Sequence, residues 1–434
     1  MIENLYNIFL NSSGVSTDTR SIRKNELFFA LHGENFNGNQ FVEIALEKGC
    51  SFVIADDPIY KDHQKVLVVE NTLKILQNLA NYHRRQWKGR LLAITGSNGK
   101  TTTKELVSAV LSKKYTMVAT EGNLNNHIGV PLTLLRLKNE DLAIVEMGAN
   151  HPGEIRLLCE IADPDVGIIT NLGKAHLEGF GGPEGVEKAK GELYDHLGAE
   201  NGIALVNMSE PRLSEMAKIR GLKLFSYGLN ADYDVKGIIN QSVPRISGAF
   251  SYKEESYSIE SQLFGNYNFM NILSAAAVGV FFDVDPHDIL KAIENYHPDN
   301  NRSQIVKGKT NTLILDAYNA NPTSMKFAID EFCMRDSRKK MLILGDMHEL
   351  GDYTVAEHEN ILQILMGKGI QDIILVGDYF SHFSQDARFP FKYFSTVNDC
   401  IAYLAEYCPT DYHILLKGSR RNSLEKATKL LLDC

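Results

Sequence analysis

The sequence predicts an α/β protein of three domains. They are a small α/β domain at the N-terminus, a central P-loop domain around a doubly wound, mostly parallel sheet, and a C-terminal Rossmann-like domain. Three observations predict it. Apolar strand-like runs alternate with helical stretches in two separate series. A strand, a glycine turn and a helix follow one another in "LLAITGSNGKTTTKE", residues 91–105. Polar, turn-rich segments interrupt the chain at "HRRQWKGR" (83–90) and "HPDNNRSQ" (297–304).

The elements follow in order. Residues 1–88 hold short strands in "LFFAL", "SFVIAD" and "VLVVEN", with a helix over 72–87. Residues 89–298 carry strands in "LLAIT", "LAIVEM", "VGIITNL" and "IALVN", separated by helices, as a parallel sheet requires. The alternation at 233–262 suggests an antiparallel annex to that sheet. Residues 299–434 begin a new series, with strands in "TLILD", "KMLILG", "DIILVG" and "HILLKG". The apolar run "ILSAAAVGVFF" (272–282) is too short to span a bilayer and reads as a buried helix.

Bulk properties bound the function. At 434 residues the chain can bury several cores. Its net charge of -9 argues against a nucleic-acid partner, which would need a basic surface. Six cysteines without a C-x-x-C pair argue against zinc and dithiol redox sites, and reduced thiols are expected. The N-terminus carries Glu3 and no basic lead, so a signal peptide is not expected. A cytoplasmic protein without membrane insertion, active as a monomer, is the expectation.

The glycine turn carries the first chemistry. Gly96, Ser97, Asn98 and Gly99 lie between an apolar strand and a helix that starts at Lys100. That order points free backbone N–H groups and a helix N-terminus at phosphate oxygens. Lys100 supplies a cation for the β- and γ-phosphates, and the hydroxyls of Thr101 and Thr102 follow, Thr101 placed for Mg²⁺. Glu146 ends the strand "LAIVE" and can hold the same ion; a solvent-facing acid is the other reading of that residue alone. The loop is two residues shorter than G-x-x-x-x-G-K-[ST], and by itself it does not separate kinase, GTPase and ligase. No N-K-x-D element follows a strand, which disfavours a GTPase.

Five segments taken together resemble the Mur ligase family: "ITGSNGKTTTKE", "EGNLNNHIGVPLTLL", "VEMGANHPGEI", "NLGKAHLEGFGG" and "DAYNANPTSM". The short loop T-G-x-x-G-K-T is that superfamily's own form, shared with folylpolyglutamate synthases. "NLNN", "EMGAN" and "YNANP" resemble the branch that adds D-alanyl-D-alanine, and "LLKGSRRNSLE" extends the match towards the C-terminus. The resemblance implies an ATP-dependent amide ligase of peptidoglycan synthesis. Its substrates would be UDP-N-acetylmuramoyl-tripeptide and D-alanyl-D-alanine, and its cofactors ATP and two Mg²⁺ ions. The third residue of the tripeptide, lysine or diaminopimelate, stays open. Rival readings are a sibling Mur ligase, a folylpolyglutamate synthase and, from another class, a P-loop NTPase switch or kinase.

The resemblance also implies roles residue by residue. His176 would hold the second Mg²⁺, and Lys190 would be carbamylated, since an anionic oxygen suits a metal pair better than an ammonium does. Asn271 of "NYNFMN" would face the adenine, with Tyr267 standing where the family has histidine. Arg302 would reach the γ-phosphate, following Asn301 where the family has glycine. Asp316 would meet the ribose or base, with Asn319 and Asn321 in the loop above it. Lys417 and Arg420 are cations suited to the dipeptide carboxylate or to phosphate. Thr17, Asp18, Thr19 and Arg20 would bind uridine and diphosphate. Asn37-Gly38-Asn39 replaces the usual D-G-H. Asn123, Asn125 and Asn126 would line the substrate cleft. Ligands shared among three domains imply that the third closes when they bind.

Overall fold

The computed structural model describes residues 1–33, 36–229, 232–241, 245–298, 301–337 and 339–434. Asn35 of the "NFNGNQF" segment, residues 242–244 of the expected annex and residues 299–300 of the turn-rich "HPDNNRSQ" lie outside them.

Three sheets organise the chain. The first is four-stranded and parallel, in the order Val15–Ser16, Leu27–Phe29, Phe52–Ala55, Val66–Val68. Helix Thr72–Gln86 follows it, capped by the Asn71 side chain on Lys74 N.

The central sheet has nine strands. From one edge they run Glu255–Glu260, Ser247–Tyr252, Val235–Gln241, Lys223–Leu229, Ile203–Asn207, Val166–Ile169, Arg90–Thr95, Leu142–Glu146, Met117–Ala119. The pairs from Val235–Gln241 to Met117–Ala119 are all parallel, and the first three strands pair antiparallel. The annex expected at 233–262 is therefore the continued edge of the main sheet. Strand Arg90–Thr95 is buried beyond Arg90, which explains its unbroken apolar run. After it the chain winds first towards Met117–Ala119 and later, from Val166–Ile169, the other way. The crevice at the carboxyl ends of Arg90–Thr95 and its neighbour Val166–Ile169 is the switch point at which open α/β sheets bind ligands.

The third sheet has the order Gln304–Lys307, Thr312–Asp316, His413–Lys417, Lys340–Gly345, Asp372–Val376, Lys392–Phe394, with only its first strand antiparallel. Asp316 and Lys417 are register partners at the carboxyl ends of adjacent strands.

The apolar run at 272–282 lies within helix Tyr267–Phe281 and the Phe282 that follows it; residues 275–278 are fully buried. This helix packs against helix Lys100–Leu111, closely enough that a side chain on Gly279 would press on Val110. Among the described residues no helix is long and apolar enough to cross a membrane. One expectation is corrected: Cys408 and Cys434 form a disulfide, while Cys50, Cys159, Cys333 and Cys400 are free. Helix Val397–Tyr407 and the C-terminal helix Thr428–Asp433 pack side by side and bring the two together, which their spacing in sequence does not signal.

Candidate active site

The glycine turn is held by its neighbour across the switch point. Asn98 N donates to Asn171 Oδ1 (3.0 Å), Ser97 N donates to Asn171 O (3.0 Å), and Thr170 Oγ1 donates to Asn98 O (2.6 Å). Gly99 has φ +79°, and a Cβ there would collide with the Asn271 side chain. Asn271 is itself fixed, donating to Asn268 Oδ1 (2.8 Å) and accepting from Thr103 Oγ1 (3.2 Å). Gly96, with φ +140°, lies directly against Thr170 and leaves no room for a side chain. The loop is thus held by contacts within the chain itself.

Lys100 folds back over this loop, donating to Gly96 O (2.8 Å) and Ser97 O (3.2 Å). Burial pushes its ammonium below the ordinary lysine range; Glu146 opposes that shift and Arg302 adds to it. Thr101 Oγ1 lies 3.3 Å from Glu146 Oε1, which also accepts from Asn125 Nδ2 (2.7 Å). Glu146 Oε2 is buried and accepts nothing. A buried carboxylate oxygen without a partner, beside a threonine hydroxyl, fits a divalent cation. Among the described residues no three His, Cys, Asp or Glu side chains cluster as a metal cage. That suits Mg²⁺, which takes one or two protein ligands and completes its shell with phosphate and water.

Lys190 is 1% exposed, with Nζ 3.4 Å from Ala149 O and 5.1 Å from the centre of the Phe180 ring. Desolvation, with Lys100 nearby, pushes its amine down to about 7. His176 has a left-handed backbone (φ +53°) in the loop after Val166–Ile169. Its Nδ1 lies 2.5 Å from Glu349 Oε2, an ion-pair contact not aligned as a hydrogen bond, and it holds the Glu349 carboxyl below its usual range.

The third sheet closes the other side. Arg302 stacks on Tyr318, its guanidinium 3.8 Å from the ring centre, with Nε buried and unpartnered. Arg420 lies 5.6 Å from the same ring. Lys417 is buried and donates to Asp316 Oδ2 (2.6 Å), so its charge is already matched. Asn321 caps helix Pro322–Cys333, and its Nδ2 donates to Asn98 Oδ1 (2.7 Å). Lys174 reaches Glu357 (2.6 Å). The third unit therefore rests on the second through Asn98, Lys174 and His176.

These groups line one cavity of about 1080 Å³. It gathers Ser97, Asn98, Gly99, Lys100, Thr101, Thr102, Asn123, Asn125, Asn126, Glu146, His176, Asn271, Arg302, Asp316, Asn319, Asn321, Lys417 and Arg420. Gly96 and Lys190 are not among its lining residues. Thr17, Asp18, Thr19 and Arg20 do not line it. There Asp18 and Arg20 pair with each other (2.6 Å), and Thr19 O accepts from Lys48 Nζ (2.7 Å). Tyr318, Glu331, His348, Glu349 and Arg421 line the cavity without having been singled out in the sequence. Tyr318 sits inside the "DAYNANP" segment. Glu349 follows the carboxyl end of strand Lys340–Gly345, a position that the strand-end rule could have flagged.

Three sequence profiles match: "Mur ligase family, catalytic domain" over 11–84, "Mur ligase middle domain" over 94–279, and "Mur ligase, glutamate ligase domain" over 301–420. The UDP-N-acetylmuramoyl-tripeptide–D-alanyl-D-alanine ligase of Bacillus subtilis (strain 168) is 35% identical, over 97% of this chain and 93% of its own. The chain belongs to the Mur ligase family. A crystal structure of MurF from Acinetobacter baumannii superposes with a TM-score of 0.89 at 30% identity, covering 100% of this chain and 98% of that one. MurF from Thermotoga maritima, solved in complex with ADP, shares the fold at 24% identity, with a TM-score of 0.86 and coverage of 98% and 97%. This Mur ligase thus has its family's three-domain α/β architecture.

Proposed function

We propose that this chain is an ATP-dependent ligase that joins D-alanyl-D-alanine to the terminal carboxylate of UDP-N-acetylmuramoyl-tripeptide, releasing ADP and phosphate. The observation that carries the reading is the single cavity faced by Lys100, Thr101 and Glu146 on one side and Arg302 and Arg420 on the other. The second set suits a ligase, which must bring a second anionic substrate to the γ-phosphate. The likeness to the B. subtilis ligase over nearly the whole chain supports the choice of substrates over those of a folylpolyglutamate synthase or a sibling Mur ligase.

The chemistry explains the charge. A carboxylate acylates poorly because oxide would have to leave. Transfer of the γ-phosphoryl group makes an acyl phosphate, and the incoming amine then displaces phosphate through a tetrahedral intermediate. Both steps crowd negative charge at one point, so fixed cations must face it. Lys100 and the loop N–H groups hold the β- and γ-phosphates, and Arg302 meets the γ-phosphate from the third domain. Asn271 and Asp316 serve the nucleoside, and Arg420 the dipeptide carboxylate. Mg²⁺, when bound, offsets phosphate charge; Thr101 and Glu146 would hold one ion, His176 and a carbamylated Lys190 a second. A neutral, buried Lys190 amine is the form that adds CO₂.

On this reading residues 1–88 take the UDP-sugar peptide, 89–298 the ATP phosphates, and 299–434 ATP and the dipeptide. Residues 17–20 stand apart from the cavity, as the uridine end of an elongated substrate would. The protein acts as a cytoplasmic monomer. The test is mass spectrometry of the product from ATP, Mg²⁺, UDP-N-acetylmuramoyl-tripeptide and D-alanyl-D-alanine. A condensed pentapeptide product is expected, with phosphate release requiring both the sugar peptide and the amine. The absence of a condensed product, or phosphate release at the full rate without the amine, would overturn the reading.

A further inference from the structure

The disulfide between Cys408 and Cys434 joins two places that other bonds already bring together. Asn311, in the turn of the hairpin Gln304–Lys307 and Thr312–Asp316, is 1% exposed. Its Nδ2 donates to Pro409 O (2.7 Å) and Leu431 O (2.8 Å), and its Oδ1 accepts from Tyr412 N (2.9 Å). Lys309 N donates to Leu432 O (2.9 Å), and Thr310 Oγ1 to Cys434 O (3.2 Å). A side chain on Gly308 would collide with the Leu432 backbone. The hairpin turn, the segment after helix Val397–Tyr407 and the C-terminal helix thus sit on one another through bonds that contain no sulfur. Opening the disulfide leaves those bonds in place and removes only the covalent tie.

This corner is connected to the cavity in two ways. The end of the hairpin away from the turn carries Arg302 and Asp316, with Ser303 N 3.4 Å from Asp316 Oδ1. The stretch closed by the disulfide, 26 residues in sequence, contains Lys417 and Arg420.

Cys408 is exposed and Cys434 half-buried, so small solutes can reach the pair. The other cysteines do not compete. Burial pushes the thiols of Cys50, Cys159, Cys333 and Cys400 above the ordinary range, which leaves little reactive thiolate. In a reducing compartment a disulfide within reach of small thiols is opened and closed by them.

We propose that Cys408 and Cys434 form a reversible thiol–disulfide exchange site, whose partner is a low-molecular-weight thiol with its disulfide, and whose closed state clamps the hairpin that presents Arg302 and Asp316. In closing, one cysteine thiolate attacks the small disulfide. The S–S bond of that molecule breaks, a mixed disulfide forms and one small thiolate leaves. The second cysteine thiolate then attacks the protein sulfur of the mixed disulfide and expels the second small thiolate. Two electrons pass from the cysteines to the small disulfide, and the two cysteine protons end on the two small thiols. The inference rests on the cytoplasmic placement proposed above and not on the ligase chemistry. Its test involves no turnover, so a failed ligase assay would leave it standing.

Purified protein is equilibrated in glutathione buffers running from fully reduced to fully oxidised, then denatured, alkylated and weighed. Alkyl groups should number six at the reduced end and four at the oxidised end, with the lost pair mapping to Cys408 and Cys434. Returning the oxidised sample to reduced buffer should restore six. Amide hydrogen exchange should be at least about tenfold faster in the reduced protein over 303–311 and 428–434, the scale of local opening when a cross-link is lost. Over the central strand Lys340–Gly345 it should agree within about twofold. Cys434→Ser should exchange like reduced wild type in either buffer. The wild-type series decides the matter even if the variant does not fold. A count fixed at four, which makes the disulfide a permanent staple, or fixed at six, which removes it, would overturn the proposal. So would equal exchange in the two redox states.

Discussion

The two walls of the cavity hold their cations in different ways. In the central domain Lys100 rests on two carbonyls of its own loop, within four residues in sequence, and the loop is fixed by Asn171, Thr170 and Asn271. In the third domain Arg302 lies on an aromatic ring 16 residues away, and Lys417 is matched by Asp316 across 101 residues. The first wall is a local device, preformed by chain geometry. The second is assembled from remote parts whose charges are restrained by neighbours. The difference teaches that one wall is fixed by the local geometry of the chain and the other by contacts between residues remote in sequence.

The largest expected effect tests the first wall. Lys100→Ala should lower kcat by about a thousandfold, the scale seen when a group aimed at developing charge is lost. The loop itself should survive, because Asn171 and Thr170 hold it through other atoms. Steady-state kinetics with a thermal melt separates the two effects. A variant with normal melting and intact turnover would break the comparison, since the local wall would then carry no chemistry.

How much was legible follows the same divide. The loop residues 96–102 could be read because strand, turn and helix are adjacent in sequence, and Glu146 because strand ends are predictable. The eleven strands expected across the three domains were readable as unbroken apolar runs, which parallel sheets bury on both faces. Edge strands such as Met117–Ala119 and Lys392–Phe394 were not, because their apolar runs, "MVA" and "YF", stop short where those of "LFFAL" and "VLVVEN" continue. The pairing of Lys417 with Asp316, the ring beneath Arg302 and the approach of Glu349 to His176 depend on three-dimensional register, to which sequence spacing is blind. Lys417, expected as a cation for the dipeptide carboxylate or for phosphate, is the partner of Asp316, an acid also expected in the site.

The next effect concerns Lys190, a buried residue of the central domain. Its amine is depressed to about 7, chiefly by desolvation, so half is neutral near neutral pH and about ten parts in eleven one unit above. CO₂ adds only to the neutral form. Carbamate should therefore accumulate as pH rises through about 7, whereas an exposed lysine would need pH above 10. Carbon-13 NMR with labelled bicarbonate should show the signal in wild-type protein and none in Lys190→Ala. Lys190→Ala should lose about a hundredfold in turnover, partly restored by short carboxylic acids. An absent signal at pH 8, together with no rescue, would remove the carbamate from the mechanism and leave Lys190 a buried amine.

The smallest effect sharpens the comparison at the second wall. A guanidinium 3.8 Å over a ring gains about 0.5–2 kcal/mol, more as water is excluded. Tyr318 lies between Arg302 and Arg420, and its ring offers a face to each. Tyr318→Leu should therefore lower kcat by about tenfold, through looser placement of Arg302, with little change in the melting temperature. Tyr318→Phe keeps the ring and should stay within about twofold of wild type, whichever partners the phenol oxygen has. If Phe and Leu lose equally, the hydroxyl is what matters and the stack is incidental. If Leu loses nothing, Arg302 is positioned by the nucleotide alone.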